Sequence, residues 1–237
     1  MKKTVFFDLD GTLLRMEDQD LFVETYFGLM AKKLAPLGYE SEALLDAIWK
    51  GTSAMIANDG SRSNEEVFWA VFCGHFGKNC REDEPVFVDY YTHEFQQVAQ
   101  VCGRVDEAAE TVRLCKDLGA ELVLATNPLF PAIATESRIR WAGLEREDFC
   151  YVTTYENSSF CKPNPAYFRE ILQKLDLRAE DCLMVGNDAV EDMAAAELGM
   201  PVFLLTDNLI NKNGVDLSDR PHGGFRELQQ WLKEQLA

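Results

Sequence analysis

Two aspartates, Asp8 and Asp10, come directly after the short apolar run of residues 5–7. In an extended chain, residues i and i+2 point to the same side, so both carboxylates can face one space where a strand ends. Open α/β sheets bind their ligands at the carboxyl ends of the strands. Two carboxylates at such a place can hold a hard cation or move protons. Taken alone, the pair is equally consistent with a polar turn built on Asp10 and Gly11.

Polar side chains also follow the other apolar runs of the chain. Thr126 comes directly after one strand-like run, Asp188 follows another after Gly186 and Asn187, and Lys162 lies in the loop beyond a third. Asp192 lies about one helical turn after Asp188. Each residue has a structural explanation, such as a turn, a helix cap or a solvated surface. Together they bring carboxylates, a hydroxyl and an ammonium group to one edge of a sheet, which suits a divalent cation and a phosphoryl group.

Four ordered motifs in this sequence resemble those of the haloacid dehalogenase-like hydrolase superfamily. They are Asp8-x-Asp10-Gly11-Thr12-Leu13, the apolar strand ending in Thr126, Lys162-Pro163, and Gly186-Asn187-Asp188-x-x-x-Asp192. The match extends over the whole core, and the first motif is highly specific. A helical insertion follows that motif, as in family members with a helical C1 cap. The resemblance implies a phosphatase of this superfamily.

The resemblance also implies a role for each motif residue. Asp8 would attack phosphorus and form an aspartyl-phosphate, and Asp10 would protonate the leaving oxygen and then activate water. Thr126, Asn127 and Lys162 would bind the phosphoryl group, and Lys162 would also keep Asp8 ionised. The expected catalytic residues are therefore Asp8, Asp10, Thr126 and Lys162.

The cofactor that the resemblance implies is Mg²⁺, held by the first and fourth motifs. The expected metal site comprises Asp8, Asp10 through its backbone carbonyl, Asp188 and Asp192. Asp188 is the expected direct ligand, and Asp192 would act through water or through the lysine of the third motif. The commonest form of the fourth motif has an aspartate where this chain has Asn187, so Asn187 remains an alternative to Asp188.

The second aspartate, Asp10, favours phosphate-ester chemistry, because dehalogenases of the superfamily resemble this pattern without it. The expected partner is a small phosphorylated metabolite, and the sequence does not choose among phosphorylated sugars, nucleoside monophosphates and phosphoglycolate. A sugar-phosphate mutase and a phosphonate hydrolase stay open, because both would differ mainly in the cap. A non-catalytic binding or regulatory protein is a further alternative, although Asp8, Asp10 and Lys162 are all present. The oligomeric state is not indicated.

From residue 105 onward, short apolar runs alternate with amphipathic helical patterns, which predicts a parallel sheet with right-handed crossovers. Residues 4–7 predict one more strand of that sheet. The expected fold is α/β, a Rossmann-like, doubly wound parallel sheet with an inserted all-helical cap domain. The core would comprise residues 1–15 plus 104–237, and the cap would comprise residues 16–103.

The patterns place individual elements as well. Further strands are expected over residues 121–125, 149–153, 182–185 and 202–205. Core helices are expected over residues 106–118, about 131–143, a stretch after Pro165, and 190–198. Cap helices are expected over residues 21–34, 41–49, a segment after the capping box at Ser63, and 85–101. Residues 51–63 are rich in small polar residues and predict a loop.

The chain is acidic, with 23 Lys and Arg against 40 Asp and Glu, a formal charge of −17. Binding to phosphates of nucleic acid needs a basic surface, so no nucleic-acid partner is expected. No stretch approaches the ~20 apolar residues of a transmembrane helix, and the basic start precedes too short an apolar run for a signal peptide. We therefore expect no membrane partner and a cytoplasmic location. The seven scattered cysteines favour free thiols over disulfides or a zinc site.

Substrate specificity is expected to reside in the cap. Lys50, Thr52 and Arg62 are the candidates to reach the active site, although each is more simply a solvated loop residue. Four aromatic residues at helical spacing favour a cap core over a pocket wall: Phe68, Trp69, Phe72 and Phe76.

Overall fold

The computed structural model of the protein describes residues 3–237. Within that range the strands are β1 (Thr4–Phe7), β2 (Leu14–Arg15), β3 (Gly103–Arg104), β4 (Glu121–Leu124), β5 (Tyr151–Val152), β6 (Cys182–Gly186), β7 (Val202–Leu205) and β8 (His222–Gly223). Six of them form a parallel sheet in the order β5-β4-β1-β6-β7-β8. The strand that carries the first motif therefore lies between the strands that carry the second and the fourth.

Helices surround this sheet. The α-helices of residues 3–237 are α1 (Gln19–Leu34), α2 (Ser41–Ile56), α3 (Asn64–Phe76), α4 (Glu84–Thr92), α5 (Asp106–Asp117), α6 (Ala132–Trp141), α7 (Pro165–Lys174) and α8 (Phe225–Leu236). Short 3-10 segments are Ala35–Leu37, Cys80–Asp83, Glu94–Val101, Arg146–Asp148, Ala179–Asp181 and Met193–Leu198. None of these helices is long and apolar enough to cross a membrane.

Both faces of the sheet are covered, because successive residues of a strand point to opposite sides. Val5 and Phe7 of β1 pack into the apolar cluster that includes α5 and α8. Phe6 packs into a second cluster with α7 and the segment Met193–Leu198. All three side chains are fully buried, as a parallel sheet between two helical layers requires. The predicted doubly wound α/β fold is confirmed.

The helical insertion, from α1 to the segment Glu94–Val101, leaves and rejoins the core through an antiparallel ribbon of β2 and β3. Leu14 pairs with Arg104, and Arg15 pairs with Gly103. The predicted cap boundaries, at residues 16 and 103, fall at this ribbon, and the division into two domains stays a prediction. One apolar cluster runs from β1 into α1, α2 and α4, so the insertion and the sheet share their packing.

The N-terminus of α3 is a second attachment of the insertion to the core. Ser63 caps α3 in the predicted capping box. Asn64 is fully buried, and its Nδ2 donates to the backbone oxygen of Pro128 at 3.3 Å. The backbone N–H of Asn64 donates to the oxygen of Ser158 at 2.8 Å. Two loops of the core therefore accept hydrogen bonds from the backbone and the side chain of Asn64 at the start of α3.

The predicted loop over residues 51–63 is wrong in its first part, because α2 continues to Ile56. Gly51 is the physical reason. A Cβ at Gly51 would lie 2.6 Å from Cδ2 of Phe68, so the glycine lets α2 and α3 approach closely. This packing outweighs the low helix propensity of the small polar residues.

Three other expected elements differ in extent. The helix predicted over residues 190–198 is a 3-10 segment that begins at Met193, because Asp188 Oδ1 accepts the backbone N–H groups of Val190 and Glu191 in a turn. The helix predicted over residues 85–101 is divided at His93 into α4 and a 3-10 segment. The strand predicted over residues 149–153 is reduced to β5. The edge strand β8 was not predicted, because its two residues form no apolar run.

Candidate active site

Strand β1 delivers Asp8 to the carboxyl edge of the sheet. The backbone N–H of Asp8 donates to the oxygen of Val185 at 2.9 Å, which keeps this residue in register with β6. The side chain is largely buried, and Oδ1 accepts from Nζ of Lys162 at 2.9 Å. Oδ2 accepts from Oγ1 of Thr12 at 3.2 Å. Both oxygens of this carboxylate are therefore held in fixed directions.

Lys162 links Asp8 to Asp192 in a buried cluster of three charges. Its side chain is 1% exposed, and Nζ also contacts Oδ1 of Asp192 at 2.6 Å. Burial lowers the pKa of Lys162, but Asp192 and Asp8 oppose this and hold the net pKa well above the ordinary value. Burial raises the pKa of Asp192, with Lys162 opposing. Oδ2 of Asp192 accepts the backbone N–H of Asp188 at 2.9 Å, so both its oxygens are occupied.

The carboxylate of Asp10 contacts a residue that the sequence reasoning missed. Arg138, on α6, is 1% exposed, and its Nη1 forms an ion pair with Oδ2 of Asp10. Nη2 donates to Oγ1 of Thr135 at 3.2 Å, and the guanidinium lies 4.3 Å from the ring centre of Phe130. Burial raises the pKa of Asp10, although Arg138 opposes this shift. Oδ1 of Asp10 has no hydrogen-bond partner among the described residues.

The fourth motif places Asn187 and Asp188 side by side, with different partners. Oδ1 of Asn187 accepts from Oγ1 of Thr12 at 3.0 Å, and Nδ2 donates to the oxygen of Asn208 at 2.7 Å. A Cβ on Gly11, whose φ is +86°, would lie 2.2 Å from that Nδ2. Glycine is therefore required where the first and fourth motifs meet. The carboxylate of Asp188 uses Oδ1 for the turn that follows it, so its other oxygen is the one suited to a ligand.

The loop after β4 holds Thr126 and Asn127. Thr126 is buried, and its backbone oxygen accepts from the hydroxyl of Thr153 at 2.7 Å. Asn127 accepts the backbone N–H of Lys162 at 3.2 Å and donates to Oε2 of Glu191 at 3.0 Å. Since these bonds use both ends of its side chain, Asn127 joins the second, third and fourth motifs in this structure.

A polar cavity of about 460 Å³ lies at this edge of the sheet. Six of the seven predicted site residues line it: Asp8, Asp10, Thr126, Asn127, Asp188 and Asp192. The seventh, Lys162, reaches it through its contact with Asp8. Lys212 also lines the cavity. It lies in the loop after β7, where no motif marked it.

A second cavity, which we call the aromatic cavity, has a volume of about 220 Å³ and lies between the insertion and the core loops. Its walls include Val23, Tyr26, Trp49, Thr52, Phe68, Trp69, Leu129, Phe130, Pro131 and Tyr155. Trp69 and Phe72 are buried in the apolar cluster, as expected of cap core, and Phe68 packs against that cluster. Phe68 and Trp69 also line the aromatic cavity, which the sequence pattern did not indicate.

The three cap candidates lie in different surroundings. Thr52 lines the aromatic cavity. Lys50 forms an exposed ion pair with Asp46 at 2.7 Å, and Arg62 is exposed. Neither Lys50 nor Arg62 lines the polar or the aromatic cavity. Both are surface residues in this structure, which was the simpler of the two explanations.

A parallel sheet whose central strand ends in two aspartates, with a lysine and a further carboxylate cluster at the same edge, defines a class of α/β hydrolases. A family model for haloacid dehalogenase-like hydrolases matches residues 2–199. The chain belongs to this family, as the four motifs predicted. The prediction of an enzyme, a phosphatase of this superfamily, is confirmed.

The individual relatives described next share about a quarter of their residues or fewer with this chain. Phosphoglycolate phosphatase of Neisseria gonorrhoeae is 26% identical over 239 residues, which cover 98% of this chain and 94% of the relative. Phosphoglycolate phosphatase of Vibrio parahaemolyticus is 26% identical over 210 residues, 86% of this chain and 83% of the relative. Among solved structures, 2-haloacid dehalogenase from Pseudomonas syringae superposes with a TM-score of 0.64 at 19% identity, over 100% of both chains. That last likeness concerns the fold alone.

Proposed function

We propose that this protein hydrolyses a phosphate monoester of a small metabolite, with Mg²⁺ and through an aspartyl-phosphate on Asp8. The contact of Lys162 with Asp8 carries the proposal. A buried ammonium group 2.9 Å from a largely buried carboxylate supplies its counter-charge and fixes its direction. An ionised, oriented carboxylate is what in-line attack on phosphorus requires.

The donor atoms of the polar cavity fit Mg²⁺. The described residues that line it include neither His nor Cys, and oxygen donors suit a hard cation. Within residues 3–237, no group of three or more His, Cys, Asp or Glu side chains is arranged to hold a metal ion. We therefore propose a site with few carboxylates: Asp8, the backbone carbonyl of Asp10, Asp188 and water. When bound, Mg²⁺ would neutralise charge on the phosphoryl oxygens.

Asp192 acts through Lys162 in this proposal. Its two oxygens accept from Lys162 and from the backbone of Asp188, which ties the carboxylate to these two partners. It positions the ammonium group that faces Asp8. The bond from its second oxygen also fixes the start of the turn that carries Asp188.

Asp10 moves the proton. Its raised pKa favours the protonated form that a general acid needs, and its buried Oδ1 has no hydrogen-bond partner among the described residues. Asp8 forms a new bond to phosphorus while the ester P–O bond breaks. The electron pair of that bond stays on the ester oxygen, which takes the proton from Asp10 and leaves as an alcohol. Water, deprotonated by Asp10, then cleaves the aspartyl-phosphate and releases inorganic phosphate.

The relatives named above support a phosphomonoester substrate, because both curated ones are phosphoglycolate phosphatases. The absence of a nucleic-acid partner and the cytoplasmic location stay predictions.

Hydrolysis of 4-nitrophenyl phosphate tests the proposal. We expect turnover with Mg²⁺, none with EDTA, and a loss of at least about a thousandfold for Asp8→Asn. Asp117→Asn, at the exposed end of α5, is the matched control and should keep full activity. Equal rates with and without metal, or an active Asp8→Asn, would contradict the mechanism. Absence of any turnover would favour the non-catalytic alternative. A burst of 4-nitrophenol without stoichiometric release of inorganic phosphate would favour a mutase, which protects its phosphorylated aspartate from water.

A further inference from the structure

The aromatic cavity is large enough for a ring. An engineered protein cavity of about 150 Å³ binds benzene. At about 220 Å³, the aromatic cavity has room for a ring of that size with a short chain attached. Trp49 lines it and is 49% exposed, so one wall of the cavity meets solvent.

The walls of the aromatic cavity are apolar and uncharged. No Asp, Glu, Lys, Arg or His occurs among the described residues that line it. The hydroxyl groups of Tyr26 and Tyr91 bond each other at 2.8 Å, so each already has a partner. The indole N–H of Trp69 has no acceptor among the described residues. Such walls suit an apolar ring with at most one or two hydrogen-bond acceptors.

One loop connects the aromatic cavity with the phosphoryl site. Thr126 lines the polar cavity, Leu129 lines both cavities, and Phe130 and Pro131 line the aromatic cavity. These residues follow each other between β4 and α6. Leu129 is therefore the shared wall of the two cavities, and an ester whose phosphoryl group contacts Thr126 would have to extend past this side chain to reach the aromatic cavity.

Asp10, the proposed proton donor, is connected to the aromatic cavity through Arg138. The guanidinium of Arg138 contacts Asp10 at one end and lies 4.3 Å from the ring centre of Phe130, a wall of the aromatic cavity. Asp10 is the residue that protonates the leaving oxygen. Arg138 therefore links the proposed proton donor to one wall of the aromatic cavity.

We propose that the aromatic cavity binds the leaving group of the phosphate ester, and that this group is an uncharged apolar group about the size of one ring. The inference rests on the proposed function. A carboxylate, such as that of phosphoglycolate, would be buried there without a free cation, which is unfavourable. Arg138 does not supply one, because it does not line the aromatic cavity and its guanidinium contacts Asp10.

Primary alkyl esters test the inference, since their leaving alcohols are of similar reactivity. We expect kcat/KM for 2-phenylethyl phosphate to exceed that for ethyl phosphate and that for phosphoglycolate by about 10- to 100-fold, the effect of burying one ring. Equal or higher kcat/KM for phosphoglycolate would overturn the proposal.

A pair of Val→Phe variants locates the effect. Val23→Phe fills the aromatic cavity from α1, whereas Val88→Phe adds the same ring at a position on α4 that is 47% exposed. We expect Val23→Phe to lower kcat/KM for 2-phenylethyl phosphate at least tenfold with little change for ethyl phosphate. Val88→Phe should change neither. A uniform loss for both esters in a folded Val23→Phe would contradict the proposal.

Calorimetric binding of 2-phenylethanol separates this inference from the proposed function, because it needs no turnover. Saturable binding to the wild type that Val23→Phe abolishes, together with no hydrolysis of any ester, would refute the phosphatase proposal and keep the cavity as a ligand site. Turnover of ethyl phosphate without alcohol binding would refute the cavity proposal alone. Thr52→Leu is a second filling variant if Val23→Phe does not fold, and the same outcomes apply to it.

Discussion

Replacing Lys162 with methionine should destabilise the metal-free protein much more than replacing an exposed lysine. Lys162 is 1% exposed, and the side chains of its partners Asp8 and Asp192 are 10% and 2% exposed. Methionine preserves the length of the side chain and removes its charge. The variant therefore leaves two buried carboxylates next to each other without a counter-ion.

The magnitude follows from the distances. Unit charges 2.6 and 2.9 Å apart attract each other by about 6 kcal/mol per pair at an effective dielectric constant of about 20. The desolvation of three charged groups offsets much of this attraction, and breaking a buried ion pair from one side typically costs about 3–5 kcal/mol. We expect Lys162→Met to lower the free energy of unfolding by that amount.

Urea unfolding followed by circular dichroism, in EDTA, measures the loss. Adding Asp192→Asn to Lys162→Met should restore stability by about 1–3 kcal/mol, because it removes an unpaired buried carboxylate. Asp192→Asn alone should be destabilising. Lys50→Met, in an exposed ion pair with Asp46, is the control and should cause no measurable change. A loss below about 1 kcal/mol for Lys162→Met, or additive effects in the double variant, would refute the reasoning.

Three further predictions concern other contacts. Arg138→Met should lower kcat at least tenfold with little change in KM, and stability by about 3 kcal/mol, because Asp10 loses its partner; unchanged kcat would contradict this. Gly11→Ala should lower the free energy of unfolding in urea by about 1–3 kcal/mol, because its φ of +86° is strained for alanine. The hydroxyl of Tyr39 holds the pKa of Asp83 below its ordinary value. That carboxylate therefore stabilises the fold above the unfolded pKa of about 4 and less as pH falls, so Asp83→Asn should lower Tm at neutral pH and hardly at about pH 2.

The sequence was sufficient for the residues that follow strands directly. Asp8, Thr126 and Asp188 come at the ends of apolar runs, and the parallel sheet brings those ends together by rule. Arg138 could not be found in this way. It lies within α6, whose buried positions include polar residues, and its partner Asp10 is 128 residues away in the chain. Only tertiary packing buries it.

The insertion was predicted less well than the core. The surroundings of each of its side chains depend on which side of a helix meets the core, and the sequence pattern does not give this. Phe68, Trp69 and Phe72 have the same apolar character and one helical spacing. All three pack in or against the apolar cluster, and of the three Phe68 and Trp69 also line a cavity. The sequence predicted Gly51 to lie in a loop. In the structure it lies in α2, and its lack of a side chain permits the contact of α2 with α3.

The ribbon of β2 and β3 brings the two ends of the insertion together, so the chain could be rejoined there if the insertion were deleted. Arg15 and Gly103 are direct cross-strand partners, so a two-residue turn of the Asn-Gly type would join them as an ordinary β-hairpin. The shortened chain would keep every motif residue of the polar cavity. It would also expose Leu129 and Phe130, which now line the aromatic cavity beneath the insertion. The motif residues of the polar cavity are therefore encoded outside the insertion, whereas the aromatic cavity needs side chains from both segments of the chain.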